Sequence, residues 1–277
     1  MTTVVGFIGA GQLGEPMVLR LLAAGHYVLV HARRADVRDR LQSHGASLAD
    51  TVADLARHSD ILISCLFSDD QLRETGLSAD GFIANAKPGS VFVSHTTGTL
   101  STLTALRDSH PGAPAILDAP VSGTADDIEA GTLTVLIGGP REAVSTVTPV
   151  LRAYAQPIVP TGDLGSALAI KLVNNLLFAA NGQLLAAATE LGDKLGVDPA
   201  ALLSALQVCS GRSQASGHAE RIGGIDRFAE IAGPFLRKDV AACVEAAGEA
   251  GADLGLLGTV INSGPLDLGA VDNLVRK

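Results

Sequence analysis

A glycine loop close to the start of the chain leaves few folds open. Residues Gly9-Ala10-Gly11-Gln12-Leu13-Gly14 follow a short apolar run, Val4 to Ile8, and precede a helix-like run from Pro16 to Ala24. In a strand–turn–helix setting this G-x-G-x-x-G spacing marks a dinucleotide site. The first glycine permits a tight turn, the second lets backbone approach a pyrophosphate, and the third lets helix pack on strand. The start of the helix adds N–H donors and a positive dipole for the phosphates. A ligand-free βα turn is the other reading of the loop taken alone. All six residues, Gly9 to Gly14, are therefore candidate cofactor contacts.

The stretch that follows repeats the strand–helix rhythm of a parallel sheet. Short apolar runs at Val4–Ile8, Tyr27–His31, Ile61–Leu66, Val91–Ser94, Ala115–Asp118, Leu133–Ile137 and Ile158–Val159 read as strands. Amphipathic runs such as Leu100–Asp108 and Arg141–Leu151 read as helices between them. After Thr161-Gly162-Asp163 the texture changes to alanine-rich helical spacing. Leu168 to Leu195 reads as one long helix, Asp198-Pro199 has the signature of a helix start, and Pro234-Phe235 is expected to open a further helix to about Ala250. The expected fold is α/β: a Rossmann-type parallel-sheet domain over residues 1–162, then an all-α domain over residues 163–277, with a long helix between them.

Composition narrows the partners. A net charge of −9 over 277 residues argues against nucleic acid or an anionic membrane. Aromatic residues make up only 3% of the chain, so the core must be built from Ala, Leu and Val. Cys65, Cys209 and Cys243 are odd in number and far apart, without metal-ligand spacing, so neither a disulfide framework nor a metal site is expected. A reducing cytoplasm fits that usage. The first apolar run reads as a strand rather than a signal peptide. The uncharged stretch from Leu172 to Thr189 contains Asn174, Asn175, Asn181 and Gln183, which favours a buried helix over a membrane span. Such a helix is expected to be covered in a homodimer or a dimer of dimers.

The end of the second strand bears on the cofactor. An acidic residue there binds a free ribose 2′-OH, whereas arginine suits a 2′-phosphate. Here the sequence is His31-Ala32-Arg33-Arg34. NADP is therefore favoured over NAD, with Arg33 as the main phosphate contact and Arg34 able to stack on adenine. The competing reading is two solvated charges at a helix start, one of them neutralised by Asp36.

Moving a hydride to or from an alcohol carbon also requires a proton acceptor at the oxygen. Lys171 and Asn175 stand at i and i+4 on the long helix and share a face. Lys171 suits a general acid/base and Asn175 a substrate-oxygen ligand; a snorkelling lysine and a packing asparagine are the plainer alternative. The segment Asp118-Ala119-Pro120-Val121-Ser122-Gly123-Thr124 follows a strand, at the sheet edge where ligands bind. Ser122, Thr124 and the Gly123 amide could hold a carboxylate, or form an ordinary capped turn. His95 reads as a hydrogen-bonded loop residue rather than a base. Lys238-Asp239, taken alone, reads as solvated surface.

Taken in order, these segments resemble the β-hydroxyacid dehydrogenase family, which includes 3-hydroxyisobutyrate dehydrogenase. Phe7 to Met17 looks like the family's cofactor motif, Asp118 to Gly123 with Gly131-Thr132-Leu133 like its substrate motif, Gly162 to Asn175 like its catalytic motif, and Lys238-Asp239 like the pair of its last motif. The resemblance implies Lys171 as general acid/base with Asn175 orienting the substrate oxygen. It implies Ser122, Gly123 and Thr124 on a small anionic substrate's carboxylate, and Lys238 over the nicotinamide end. Leu66, Phe67 and Thr96 or Thr97 would line the cofactor. The implied activity is NADP-dependent hydride transfer on a short 3-hydroxy acid or its semialdehyde. Imine reduction on the same scaffold and a non-catalytic NADP-binding protein are the alternatives. Departures from the family pattern include Thr124 for a glycine, Phe67 for a proline and Gln214 for an aromatic residue, and they bear on substrate shape.

Overall fold

The computed structural model describes residues 3–269. The chain divides into two compact units, Met1–Lys171 and Leu172–Lys277.

In the first unit, strands β1 (Val4–Ile8), β2 (Tyr27–His31), β3 (Ser47–Leu48), β4 (Ile61–Ser64), β5 (Val91–Ser94) and β6 (Ala115–Asp118) lie parallel in the order β3-β2-β1-β4-β5-β6. Helices α1 (Gly14–Ala23), α2 (Ala35–Ser43), α3 (Val52–His58), α4 (Asp69–Leu77) and α5 (Leu100–Asp108) connect them. Strand β7 (Val121–Ser122) and helix α6 (Ala125–Ala130) follow. Strand β8 (Leu133–Gly138) then runs antiparallel to β6 and β7, helix α7 (Arg141–Leu151) returns, and β9 (Ala155–Gly162) pairs parallel with β8. Strands β4 and β5 are buried at every residue, which is why their sequences are continuous apolar runs rather than alternating ones. Phe7, Met17, Leu21, Val30, Ile63, Val93 and Leu117 belong to the core between sheet and helices.

Two consequences position a site. The strand order reverses between β1 and β4, and ligands of such sheets bind beyond the carboxyl ends at that reversal. Strand register also aligns the exits: Ile8 pairs with His31 and Ser64, Ser64 with Ser94, Ser94 with Asp118, and Asp118 with Gly138.

Helix α8 (Ser166–Lys194) runs across the division at residue 171. In the second unit α9 (Pro199–Leu206) starts as the sequence suggests, with the Asp198 carboxylate accepting the Ala201 N–H at 2.9 Å. Helix α10 (Gln214–Ile222) and helix α11 (Ile225–Glu249) come next, then α12 (Gly255–Ser263). Pro234 does not open a helix; it lies inside α11. An internal proline costs about 3 kcal/mol, but Phe228, Ala232, Leu236, Val240 and Cys243 form one buried stripe through it, and that burial holds the helix together. Gln183, buried on α8, donates to the Ile261 and Leu266 carbonyls and accepts from the Leu266 N–H, each at 2.8 Å, fixing the segment after α12 to the helix. Among the described residues no helix is long and apolar enough to cross a membrane.

Candidate active site

The glycine loop carries three different constraints. Gly9 has φ +92°, and a Cβ there would collide with the Cys65 carbonyl at the exit of β4. A Cβ on Gly14 would collide with the Gly9 carbonyl, so this glycine permits α1 to pack on the turn. A Cβ on Gly11 would meet nothing within 4 Å. Leu13, at the position before helix α1, makes no side-chain cap to it. An open second glycine in front of an uncapped helix start is a cradle that fits a pyrophosphate.

At the exit of β2 both arginines are exposed, but they are not equivalent. Arg34 grips Asp36 through two hydrogen bonds, of 3.1 and 2.5 Å. Asp36 also takes Arg40 Nη1 at 3.1 Å, and Arg40 forks onto Glu15 at 2.7 and 2.9 Å. Hydrogen bonds from Arg34 and then Arg40 bring the Asp36 carboxyl down to about 2, and the Arg40 hydrogen bond lowers that of Glu15. Arg33 makes no ion pair among the described residues, so its guanidinium keeps its donors for another anion.

The loops leaving β4 and β5 are fastened to each other. The Asp69 carboxylate accepts the Thr99 N–H at 2.7 Å, the Thr99 hydroxyl at 2.9 Å and the Thr102 hydroxyl at 3.1 Å. Gly98 permits this approach, since a Cβ there would run into Asp69. Leu66 and the exposed Phe67 stand in the first loop, because β4 ends at Ser64 rather than Leu66. Thr96 stands in the second. Its hydroxyl is buried without a hydrogen-bond partner among the described residues, as are those of Ser64 and Ser94. Orphaned hydroxyls are uncommon in a packed interior, and one on this loop fits a ligand that accepts or donates there. His95 is spoken for: Nδ1–H donates to the Ala119 carbonyl at 2.5 Å, and Nε2 accepts from the Tyr154 hydroxyl at 2.8 Å. Burial brings its pKa down to about 4, so it stays neutral and structural.

At the end of β6, Asp118 turns its buried carboxylate toward the start of α8, where it accepts the N–H groups of Gly165 and Leu168 at 2.8 Å each. Lys171 stands one turn further along that helix and is half-buried. In the Ser122-Gly123-Thr124 turn, Thr124 is committed locally. Its N–H and its hydroxyl both donate to Asp127, at 2.7 and 2.9 Å, closing the start of α6. Ser122 is exposed at the end of β7.

In the second unit Asn175 is buried and donates from Nδ2 to Asp239 at 2.9 Å, while its Oδ1 accepts from Asn174 at 3.2 Å. Lys238 Nζ lies 3.5 Å from the other oxygen of Asp239. The pair read as surface in the sequence is therefore joined to the asparagine of the long helix. Among the described residues no group of three or more His, Cys, Asp or Glu could hold a metal ion.

Comparison with known proteins bears on the same elements. The family model for the NAD binding domain of 6-phosphogluconate dehydrogenase matches residues 4–162, and that for the NAD-binding segment of NADP-dependent 3-hydroxyisobutyrate dehydrogenase matches residues 165–262. The chain belongs to the β-hydroxyacid dehydrogenase family. It is 29% identical over 211 residues to a probable mitochondrial 3-hydroxyisobutyrate dehydrogenase of Dictyostelium discoideum, covering 75% of this chain and 65% of that protein. It is 35% identical over 217 residues to the 2-(hydroxymethyl)glutarate dehydrogenase of Eubacterium barkeri, covering 76% and 70%. The chain spans about two thirds of the length of the curated relatives it matches. Its fold superimposes on Mycobacterium tuberculosis 3-hydroxyisobutyrate dehydrogenase, solved with L-serine, with a TM-score of 0.81, 24% identity and 98% of both chains covered.

As in a family of NAD(P)-binding proteins, the first unit gathers at one sheet edge the glycine loop, Arg33, Leu66, Phe67, Thr96 and Ser122 to Thr124, with Lys171 close behind the anchored start of α8. Asp69 and Asp127 carry no role in the sequence pattern, and Asp118 stands there only as the start of the substrate motif, with no role of its own. Asp69 and Asp118 act on backbone or hydroxyl groups brought close only by the fold, whereas Asp127 closes a local capping box with Thr124, three residues before it. Two local signals stand in the sequence: the Thr124-to-Asp127 capping spacing, and Gly165 before a long helix, which has no side chain with which to cap it.

Proposed function

We propose that this chain is an NADP-dependent oxidoreductase that moves a hydride between the nicotinamide and a short 3-hydroxy acid or its semialdehyde. The observation carrying this reading is the placement of Lys171 just beyond a helix start anchored at the sheet edge that bears the glycine cradle. In this reading residues 1–162 form the dinucleotide domain and residues 163–277 the substrate and dimerisation domain. Gly9 to Gly14 receive the pyrophosphate, Arg33 takes the 2′-phosphate, and Arg34, tied to Asp36, offers a planar surface to adenine. Leu66, Phe67 and the unpaired Thr96 hydroxyl line the nicotinamide side. Ser122 and the Gly123 amide hold the substrate carboxylate, while Thr124, engaged with Asp127, shapes the turn that presents them. When bound, the nicotinamide supplies or accepts the hydride. Lys171 delivers the proton to the carbonyl oxygen in reduction, or removes it from the hydroxyl in oxidation. The family resemblance assigns Asn175, whose amide is held by Asp239, to that oxygen, and Lys238 to the substrate and the nicotinamide end. Remote binding of the carboxylate fixes the reacting carbon, so positioning provides much of the rate.

The assembly proposed is a homodimer or a dimer of dimers. Ile170, Val173, Leu177, Leu184 and Leu191 lie exposed along α8, with exposed Leu195 just past its end, a stripe suited to a second copy. Three free cysteines suit a reducing cytoplasm.

The test is the initial rate of NADPH oxidation with methylmalonate semialdehyde, succinic semialdehyde, tartronate semialdehyde and glyoxylate, with NADH in parallel. Turnover of at least one acid, faster with NADPH, is expected. Tight NADPH binding without turnover of any of them would overturn the reading.

A further inference from the structure

The start of a helix leaves its first N–H groups without intrahelical partners, and an Ser, Thr, Asp or Asn at the preceding position commonly receives one of them. Helix α8 is preceded by Gly165, whose φ of +92° favours glycine and which has no side chain to offer. The missing cap comes from Asp118, 47 residues away from Gly165 and 50 from Leu168. One carboxylate oxygen accepts the Gly165 N–H and the other the Leu168 N–H, both at 2.8 Å and buried. Charge-assisted bonds of this kind, at the positive end of a helix dipole, are among the stronger hydrogen bonds available.

The surroundings are built around this contact. Gly138, opposite Asp118 in the β6–β8 register, has no room for a side chain. A Cβ there would lie 2.6 Å from Asp118 Oδ1, 2.7 Å from Ser166 Oγ and 2.8 Å from the Asp163 carbonyl. Ser166 in turn hydrogen-bonds the Thr161 hydroxyl at 2.7 Å, and Thr161 donates to the Ile137 carbonyl at 3.1 Å. The first turn of α8 is thus tied to β6, β8 and β9.

We infer that Asp118 is a positioning residue for Lys171: its carboxylate fixes the start of α8 against the sheet edge and so sets where the amine stands. The inference rests on the role of Lys171 proposed above. Lys171 follows Leu168 by less than one helical turn, so a shift of the anchored amides moves it directly. A displacement of about 1 Å in a reacting group can cost about a hundredfold in rate.

The test uses the full chain with Asp118→Asn and, independently, Gly138→Ala, which leaves the carboxylate in place but drives a methyl group into its seat. Amide hydrogen exchange is followed over residues 165–170, together with kcat, substrate KM and the NADPH Kd. Expected in both variants are exchange faster by about tenfold or more in that turn and kcat lower by about tenfold to a hundredfold. KM and the NADPH Kd should stay within about threefold, a split that general destabilisation does not produce. If one variant fails to fold, the other carries the measurement. Unchanged exchange, unchanged kcat, or a parallel loss of kcat and NADPH binding overturns the inference. A wild type that reduces none of the acids sinks the enzyme reading by itself. The exchange data then decide the anchor: faster exchange upholds it, unchanged exchange refutes it.

Discussion

Asp36 and Asp118 are both carboxylates near the exits of one parallel sheet, and the fold uses them in opposite ways. Asp36 is exposed, shared between Arg34 and Arg40, and part of a chain of charges ending at Glu15. Asp118 is buried and spends both oxygens on backbone amides of α8. Exposed ion pairs are screened by water and salt and add little to stability. A hydrogen bond to a charged group contributes about 1.5–3 kcal/mol net, and leaving a buried charge without its partner is costlier than leaving a neutral group so. The exposed network therefore governs which charge at the β2 exit remains open to a ligand, whereas the buried carboxylate governs where a helix begins.

Three measurements bear on this contrast. The largest effect is expected from Arg33→Ala, the charge that the exposed network leaves over. Its NADPH Kd, measured by fluorescence titration, should rise by about tenfold to a hundredfold, with NADH affinity unchanged. Equal weakening toward both nucleotides would mean that Arg33 does not read the 2′-phosphate.

The second effect belongs to the buried side. His95 has a pKa near 4 in the fold against an ordinary value of 6.5. Between those values the unfolded chain takes up a proton that the folded chain refuses. The stability associated with neutral His95 is complete above pH 6.5 and is lost as the pH falls toward 4; by pH 5 the loss is about 2 kcal/mol. Urea unfolding at pH 7 and pH 5 should show it, and His95→Gln should flatten the difference. The same slope in both proteins would assign the loss to other groups.

The smallest effect is expected from Asp36→Asn. Thermal unfolding should shift by no more than about 2 °C, and the NADPH Kd should change less than about threefold. A marked gain in NADPH affinity would instead show that Arg34, once released, is the phosphate ligand.

The sequence was most legible where one local pattern decides the outcome. Val4–Ile8, Tyr27–His31, Val91–Ser94, Ala115–Asp118, Leu100–Asp108 and Arg141–Leu151 form the elements their apolar spacing suggests. In the three-glycine loop, the turn role of Gly9 and the helix-packing role of Gly14 match the backbone crowded against them, while Gly11 stands in open space. Pro234 reads locally as a helix start, but the buried stripe on either side of it carries α11 straight through. The links from Asp69, Asp118 and Asn175 were invisible because their partners lie 30 to 64 residues away, and no periodicity encodes such a contact. Lys171 and Arg33 could be named from position and residue type; which arginine is tied up by Asp36 required coordinates.

The central claim is that Lys171 performs the proton transfer on a site that binds NADPH without it. The most direct test is Lys171→Ala, with kcat for the best acid of the panel and the NADPH Kd measured on the same preparation. Expected are a kcat lower by about a thousandfold and an NADPH Kd within about threefold of the wild type. Turnover within tenfold of the wild type would contradict the claim, and loss of NADPH binding together with activity would make the lysine part of the cofactor site rather than the acid/base.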